Sequence, residues 1–528
     1  MDLSTVKDIR LVCQDWADVG ASFLGRCAFL NPYKIFQNQD PSHIVPASSF
    51  IFNPKLGRHL QISATKSLDD EILSAKASNF LNLCFHVNRF TTDVTLVVDK
   101  FTCLQFVEAL IRHEFPYLRS IKVIMQQDSG FIGHSDYPQE IAPFPVRPSL
   151  KRIVYKLNPL TICSAVIPTS AHPVLPALVN SAPNLQQLVV MDNFYPALEN
   201  CRKLSSLKLV GAPVTQKPFV NEFEIHNRSY SSTYLSNENF RAEKFLMAII
   251  QVQERVRELF IGICVEDYWD LPRTAAVDFE LPCLPNLNSM EVDGIHIFCK
   301  IMNSLNSQVL SNVKSLTLRE HDGFKLETVT SLEDVLATCK HTHTMLQNVH
   351  FQVVDEIQPT VLKKLGKLWP NVQIFTLTII TRQNCINNDM TQWFNFPEKI
   401  EPFFKYCENL GKIKIVVKLR SKLAHCFGSI KSLAGFSGVK SMEVQCLQYI
   451  VQRPWEEVDL DWDVLIFTKE FHSFIFRRVR FTVPALEAIM FLKEKHQLPI
   501  QFKSCCCKRY RASWVTTLKI PLDEYFDL

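Results

Sequence analysis

About a dozen times along this chain an apolar residue is followed, three and five positions later, by two more. The copies run Leu118–Val123, Leu150–Tyr155, Leu185–Val190, Leu204–Leu209, Val256–Ile261 and Leu287–Val292. They continue at Val313–Leu318, Leu346–Phe351, Val372–Leu377, Leu410–Ile415, Val439–Val444 and Phe476–Phe481. Within each copy the last two apolar residues flank a single residue, the period of a β-strand, and the first turns into the same core. A segment this short cannot enclose a core. It has to stack on its neighbours, as units recurring every 20 to 40 residues or so do in repeat proteins.

Apolar triplets also arise by chance, so the surrounding residues matter. The interleaved positions are mostly polar, with serine recurring at one place (Ser206, Ser289, Ser315, Ser441). Asparagine precedes the first apolar residue at Asn184, Asn286, Asn312, Asn371 and Asn409, three times behind a proline (Pro183, Pro285, Pro370). Both residue types favour turns and end a preceding helix. The spacing of apolar residues predicts helix between some copies, as in Phe101 to Arg112 and Ser331 to Cys339. The expected fold is therefore α/β: a leucine-rich-repeat solenoid, its curved parallel sheet backed by helices on the convex side. At 528 residues the chain far exceeds a single compact core, which suits such an array. Residues 86–483 are expected to form irregular repeats and 484–528 a C-terminal cap. Polar stretches near Pro213 to Asn239 and Glu266 to Cys283 read as insertions, and the wide interval after Leu204 leaves room for a degenerate unit.

Composition narrows the function. Hydrophobic residues make up 47% and charged residues 21%, which suits folded protein. A net charge of +4 over this length gives no general attraction to nucleic acid, so none is expected as a partner. The 17 cysteines are mostly single and set among apolar residues, and no C-x-x-C pair occurs. They point to a reducing compartment, cytoplasm or nucleus. The start, MDLSTVKDIR, is too charged for a signal peptide, and no apolar run approaches the ~20 residues of a membrane span. No membrane partner is expected.

The first thirty residues follow a different rule. Thr5 to Asp8 fits a capping box, and Val6, Ile9, Cys13 and Trp16 then fall at helical spacing, with Val12 and Val19 widening the apolar face. Gly20 is expected to end this helix, and Ser22-Phe23-Leu24 to open another turn.

The run from Leu3 to Trp16, L-S-T-V-K-D-I-R-L-V-C-Q-D-W, resembles the second half of an F-box, with Arg10, Val12, Cys13 and Trp16 at the family's places. F-box motifs followed by leucine-rich repeats characterise substrate receptors of SCF-type ubiquitin ligases. The resemblance implies a partial, helical F-box at 1–35 and a connecting segment at 36–85. It also implies a Skp-type adaptor and cullin ligase complex as partners, with Leu3, Val6, Ile9, Val12 and Trp16 facing the adaptor or the box core. The family's opening Leu-Pro element and first helix have no counterpart here. The expectation is either a gene model that starts late or a degenerate box with weak adaptor binding.

Catalytic constellations are not legible. No HExxH, P-loop or dinucleotide glycine pattern occurs, so no cofactor, metal or enzyme activity is expected. His341 and His343 lack a third ligand nearby and read as a surface loop. Cys505-Cys506-Cys507 before Lys508 and Arg509 reads either as an acylated membrane anchor or as a strand end. Residues between the apolar positions would face a protein target whose identity the sequence leaves open. Towards the C-terminus these include Lys412, Lys414, Arg478 and Arg480, a basic end suited to an acidic or phosphorylated segment. The function expected is a protein-binding substrate receptor. The alternative is a leucine-rich-repeat scaffold whose degenerate F-box has no ubiquitin role.

Overall fold

From Leu118 to Val444 each copy of the pattern contains or leads into a β-strand. In the computed structural model the described residues of the N-terminal part are 14–27, 30, 53–64, 78–79, 82–98, much of 103–125, 142–157, 174–191, 195–211 and 242–263. Those of the C-terminal part are 281–294, 311–320, 332–354, 359–380, most of 406–419, 439–446, much of 466–477, 480–503, 506–511 and 514–518. The chain divides into two units, Met1–Thr274 and Ala275–Leu528, each α/β and solenoid-like.

The first unit carries β1 (His59–Ala64), β2 (Asp93–Val98), β3 (Ser120–Met125), β4 (Arg152–Leu157), β5 (Gln187–Met191), β6 (Ser206–Gly211) and β7 (Glu258–Ile263). They pair in parallel and in chain order. The register sets one buried apolar row through Leu60, Val94, Ile121, Ile153, Leu188, Leu207 and Leu259. Two residues on, a second buried row passes through Ile62, Leu96, Val123, Tyr155, Val190, Leu209 and Ile261. The first apolar residue of each copy, such as Leu118, Leu150 and Leu185, is buried beside them. Helices α1 (Gln14–Cys27), α2 (Val174–Asn180) and α3 (Ala242–Ile250) belong to this unit. The described positions of 101–112 are helical too, burying Cys103, Phe106, Val107, Leu110 and Ile111.

The second unit repeats the scheme with β8 (Ser289–Asp293), β9 (Ser315–Arg319), β10 (Asn348–Val354), β11 (Ile374–Ile380), β12 (Lys412–Leu419), β13 (Val439–Cys446) and β14 (Ser473–Arg477). Helices α4 (Leu332–Thr338) and α5 (Pro359–Leu368) fall between its strands, α4 at the predicted place. Phe351 of β10 meets Trp369, just past α5, at 5.9 Å and Phe375 of β11 at 5.8 Å between ring centroids. The helix-bearing connection thus covers the apolar side of the sheet.

The asparagines do more than break helices. Pro183-Asn184 and Pro370-Asn371 lie in turns after α2 and α5. The side-chain Nδ2 of Asn184 donates to the Pro148 carbonyl at 2.9 Å, Asn312 to Pro285 at 2.7 Å, and Asn371 to Thr344 at 2.8 Å. Each ties its own turn to the turn one unit earlier, satisfying a carbonyl that the strand ladder does not reach.

Four features depart from the sequence reading. The sheet begins at β1, inside the 36–85 stretch expected only to connect. At the pattern's first position β1 has Gly57 and β2 has Thr91, which no apolar template selects. Thr91 is fully buried, and its hydroxyl donates to the Gly57 carbonyl at 2.7 Å. A Cβ on Gly57 would lie 2.5 Å from the Val87 side chain, so a larger residue would collide. Second, β6 pairs directly with β7, so the wide interval after Leu204 contributes no strand between them. The residues of the expected insertions near 213–239 and 266–280 lie outside those described.

Third, the last copy was framed at Phe476–Phe481, whereas β14 buries Phe474 and Phe476 behind Phe471. The three aromatic rings pack in sequence, Phe471 stacked on Phe474 at 6.2 Å and Phe474 edge-to-face with Phe476 at 5.1 Å between centroids. Fourth, the sheet continues past 484: β14 pairs with β16 (Ile500–Lys503) after α6 (Val483–His496). A separate small sheet joins β15 (Arg480–Thr482) in parallel to β17 (Cys506–Arg511), which runs antiparallel to β18 (Trp514–Leu518). Cys506 and Cys507 are part of β17.

Candidate functional site

Two places among the described residues bear on the expected function. The first is α1. It was expected to stop at Gly20, yet it runs unbroken to Cys27, because Gly20 and Gly25 sit on its buried face with Ala21 and Leu24. Gly25 crosses the 3-10 turn Pro54–Arg58 so closely that a Cβ there would overlap the Lys55 carbonyl. Close approach of backbones, not helix termination, is the use made of glycine here. Asp18 pins the contact, receiving a hydrogen bond from Asn53 Nδ2 at 2.8 Å and an ion pair from Lys55. The Lys55 ammonium foremost, then Asn53, holds the Asp18 carboxyl below its ordinary value. After α1, Leu30 forms a parallel bridge to Leu60: its N–H donates to the His59 carbonyl at 2.8 Å, and its carbonyl accepts from Gln61 at 3.1 Å. The first rung is capped at that edge.

On the opposite side of α1 two apolar residues reach water. Val19 is 62% exposed and Phe23, one turn further, 41%. Trp16 is part of α1, and its side chain lies outside what is described. Leu3, Val6, Ile9 and Val12 lie outside the described residues.

The second place is the side of the C-terminal unit's strands that bears the interleaved residues, where Gln352, Thr378, Val416, Ser441, Glu443 and Ile475 are buried and the charged groups beside them reach water. Lys412 and Lys414 project there from β12, Lys412 exposed and Lys414 half-buried. Lys414 was expected to offer its charge to a target. Instead its Nζ lies 2.9 Å from Oε2 of Glu443 on β13, whose Oε1 also receives Arg477 Nε of β14. Glu443 is buried. Burial pushes its carboxyl up, and the hydrogen bonds and charges of Lys414 and Arg477 more than reverse this, leaving it below its ordinary value.

Arg480 is not part of this face, since β15 belongs to the small sheet, and Arg478 lies outside the described residues. The residue that reaches the cluster is Arg477, missed because the frame at Phe476 put the wrong side chains outward; an odd shift of register reverses the faces of a strand. The spacing Phe471, Phe474, Phe476 was the signal that identifies the true frame.

Elsewhere in the same unit Arg319 pairs with Glu291 at 2.5 Å. His350 Nε2 lies 2.9 Å from the Thr378 hydroxyl. The two histidines of the H-x-H pair part company: His341 is exposed, while His343 is buried and its backbone N–H donates to the Leu368 carbonyl. Among the described residues no three His, Cys, Asp or Glu side chains converge as a metal site, and no helix is long and apolar enough to cross a membrane. Burial pushes the Cys201 and Cys339 thiols up to about 11 and Cys407 to about 12, which makes them poor nucleophiles near neutral pH.

No protein-family model matches this sequence, and no curated protein is significantly similar to it.

Proposed function

We propose that this chain is a protein-binding substrate receptor of the kind found in SCF-type ubiquitin ligases. In this reading the N-terminal helical segment is a partial F-box that recruits a Skp-type adaptor, and the stacked strands are leucine-rich repeats that hold a target protein. The chain has no catalytic centre of its own; the chemistry belongs to partner subunits. It works in the cytoplasm or nucleus, where its buried thiols, such as Cys84 and Cys201, stay reduced.

The observation that carries the proposal is the pair of exposed apolar residues on α1. Val19 and Phe23 face outward while Gly25, Asp18 and Asn53 lock the other side to the first rung. A helix held rigidly and left with large apolar groups in water is suited to a partner. A pull-down with purified Skp-type adaptor tests this, using the chain, a Val19→Asp/Phe23→Asp variant and a Val12→Ala/Trp16→Ala variant. Adaptor retained by the chain and lost by both variants is the expected result. No retention by the unaltered chain would leave the interaction scaffold as the better reading.

A further inference from the structure

We infer that the exposed and half-exposed basic groups of β12 and β14, Lys412, Lys414 and Arg477, dock an extended, carboxylate-rich segment of a partner protein over the buried row Val416, Glu443 and Ile475, with Glu443 as the positioning residue. This deepens the reading of the strands as the target-holding part and rests on it.

The argument starts from charge. Lys414 and Arg477 share a single buried carboxylate, so the trio keeps a net positive charge. Glu443 uses only the Nε of Arg477. The two terminal guanidinium nitrogens meet no other described residue, and the side chain is more than a third exposed. That edge is the fork that grips a carboxylate through two parallel hydrogen bonds.

Lys412 is exposed, likewise meets no described residue, and lies on the same face two positions before Lys414. The register also puts Lys503 on the row of Arg477. Two residues along a strand span about 7 Å, which is also the repeat of alternate side chains in an extended peptide. Acidic residues at every second position of such a peptide match the spacing of Lys412 and Lys414. Glu443 holds Lys414 and Arg477 in place without cancelling them, so less side-chain entropy is lost on binding.

Fluorescence anisotropy on the full chain without adaptor tests this, with a labelled 12-residue peptide of alternating glutamate and serine. The controls are its lysine-serine counterpart and a single-stranded oligonucleotide of equal charge. The acidic peptide should bind, and more weakly as salt rises. Lys412→Glu should weaken it on the order of tenfold, as loss and reversal of a contact charge does. Arg477→Lys, which keeps the charge and loses the fork, should weaken it severalfold.

Equal binding of either control, or unchanged affinity in both variants, would overturn the inference. Lys412 is exposed, so its replacement keeps the test open if changes at Arg477 disturb the fold. Adaptor retention through α1 is measured separately. Loss of peptide binding with adaptor retained would remove the docking site alone, and the converse would remove only the ligase reading.

Discussion

The two units use one pattern on their buried sides and different chemistry on their interleaved faces. In the N-terminal unit the register lines up Thr95, Lys122, Val154, Val189, Lys208 and Phe260. Val154 and Val189 are buried there despite lying on the interleaved face, and the Lys208 ammonium sits 3.5 Å from the centroid of the Phe260 ring. The C-terminal unit puts Glu291, His350, Lys414 and Glu443 on its interleaved face and ties them into ion pairs and hydrogen bonds. The buried positions must be apolar for neighbouring units to stack, so they vary little in character. The interleaved positions are released from that constraint: Val154 and Val189 lie buried beside Lys122 and Lys208 in the N-terminal unit, while in the C-terminal unit Val416 and Ile475 flank a buried, ion-paired Glu443. Recognition in such an array is carried by the positions that the stacking pattern leaves free.

Exchanging the two chemistries tests the contrast. Val189→Glu places a carboxylate where the N-terminal unit offers a buried, apolar site, and should cost about 2–4 kcal/mol, read from urea unfolding. A cost near zero would mean that this face is as polar as its counterpart.

Glu443→Gln leaves Lys414 and Arg477 without their carboxylate. Both are partly solvated, so the loss should be smaller, about 1–2 kcal/mol at neutral pH. The pH dependence has a definite sign. The folded-state value of Glu443 is depressed, so its stabilisation is complete above the ordinary carboxylate range near 4.3 and disappears as pH falls through the lower folded value. The unaltered chain and Glu443→Gln should therefore converge in stability in acid, and parallel curves down to the acid limit would contradict the ion-paired arrangement. Least of all, Lys208→Ala should cost about 0.5–1 kcal/mol through the lost contact with Phe260, measured by thermal melting.

The strands from β3 to β13 were legible because a strand's inner face leaves a local record, two alternating apolar residues with a third behind them. The asparagine turns were legible for the same reason, although their bonds to the preceding unit were not. At β14 the record was ambiguous: Phe476 belongs to two overlapping frames, and only pairing with β13 and β16 selects the one that turns Arg477 outward. At β1 and β2 the record is missing, since Gly57 and Thr91 take the apolar place. Gly20 read as a helix stop for want of knowledge of what crosses α1.

The order of strands, the α/β class and the buried rows were thus determined by the sequence itself, through periods that repeat within a few residues. The locked side of α1, the shared carboxylate at Glu443 and the exclusion of Arg480 from the interleaved face were decided by the tertiary structure. Each depends on partners some thirty residues or more away, and no local period records which of them will meet.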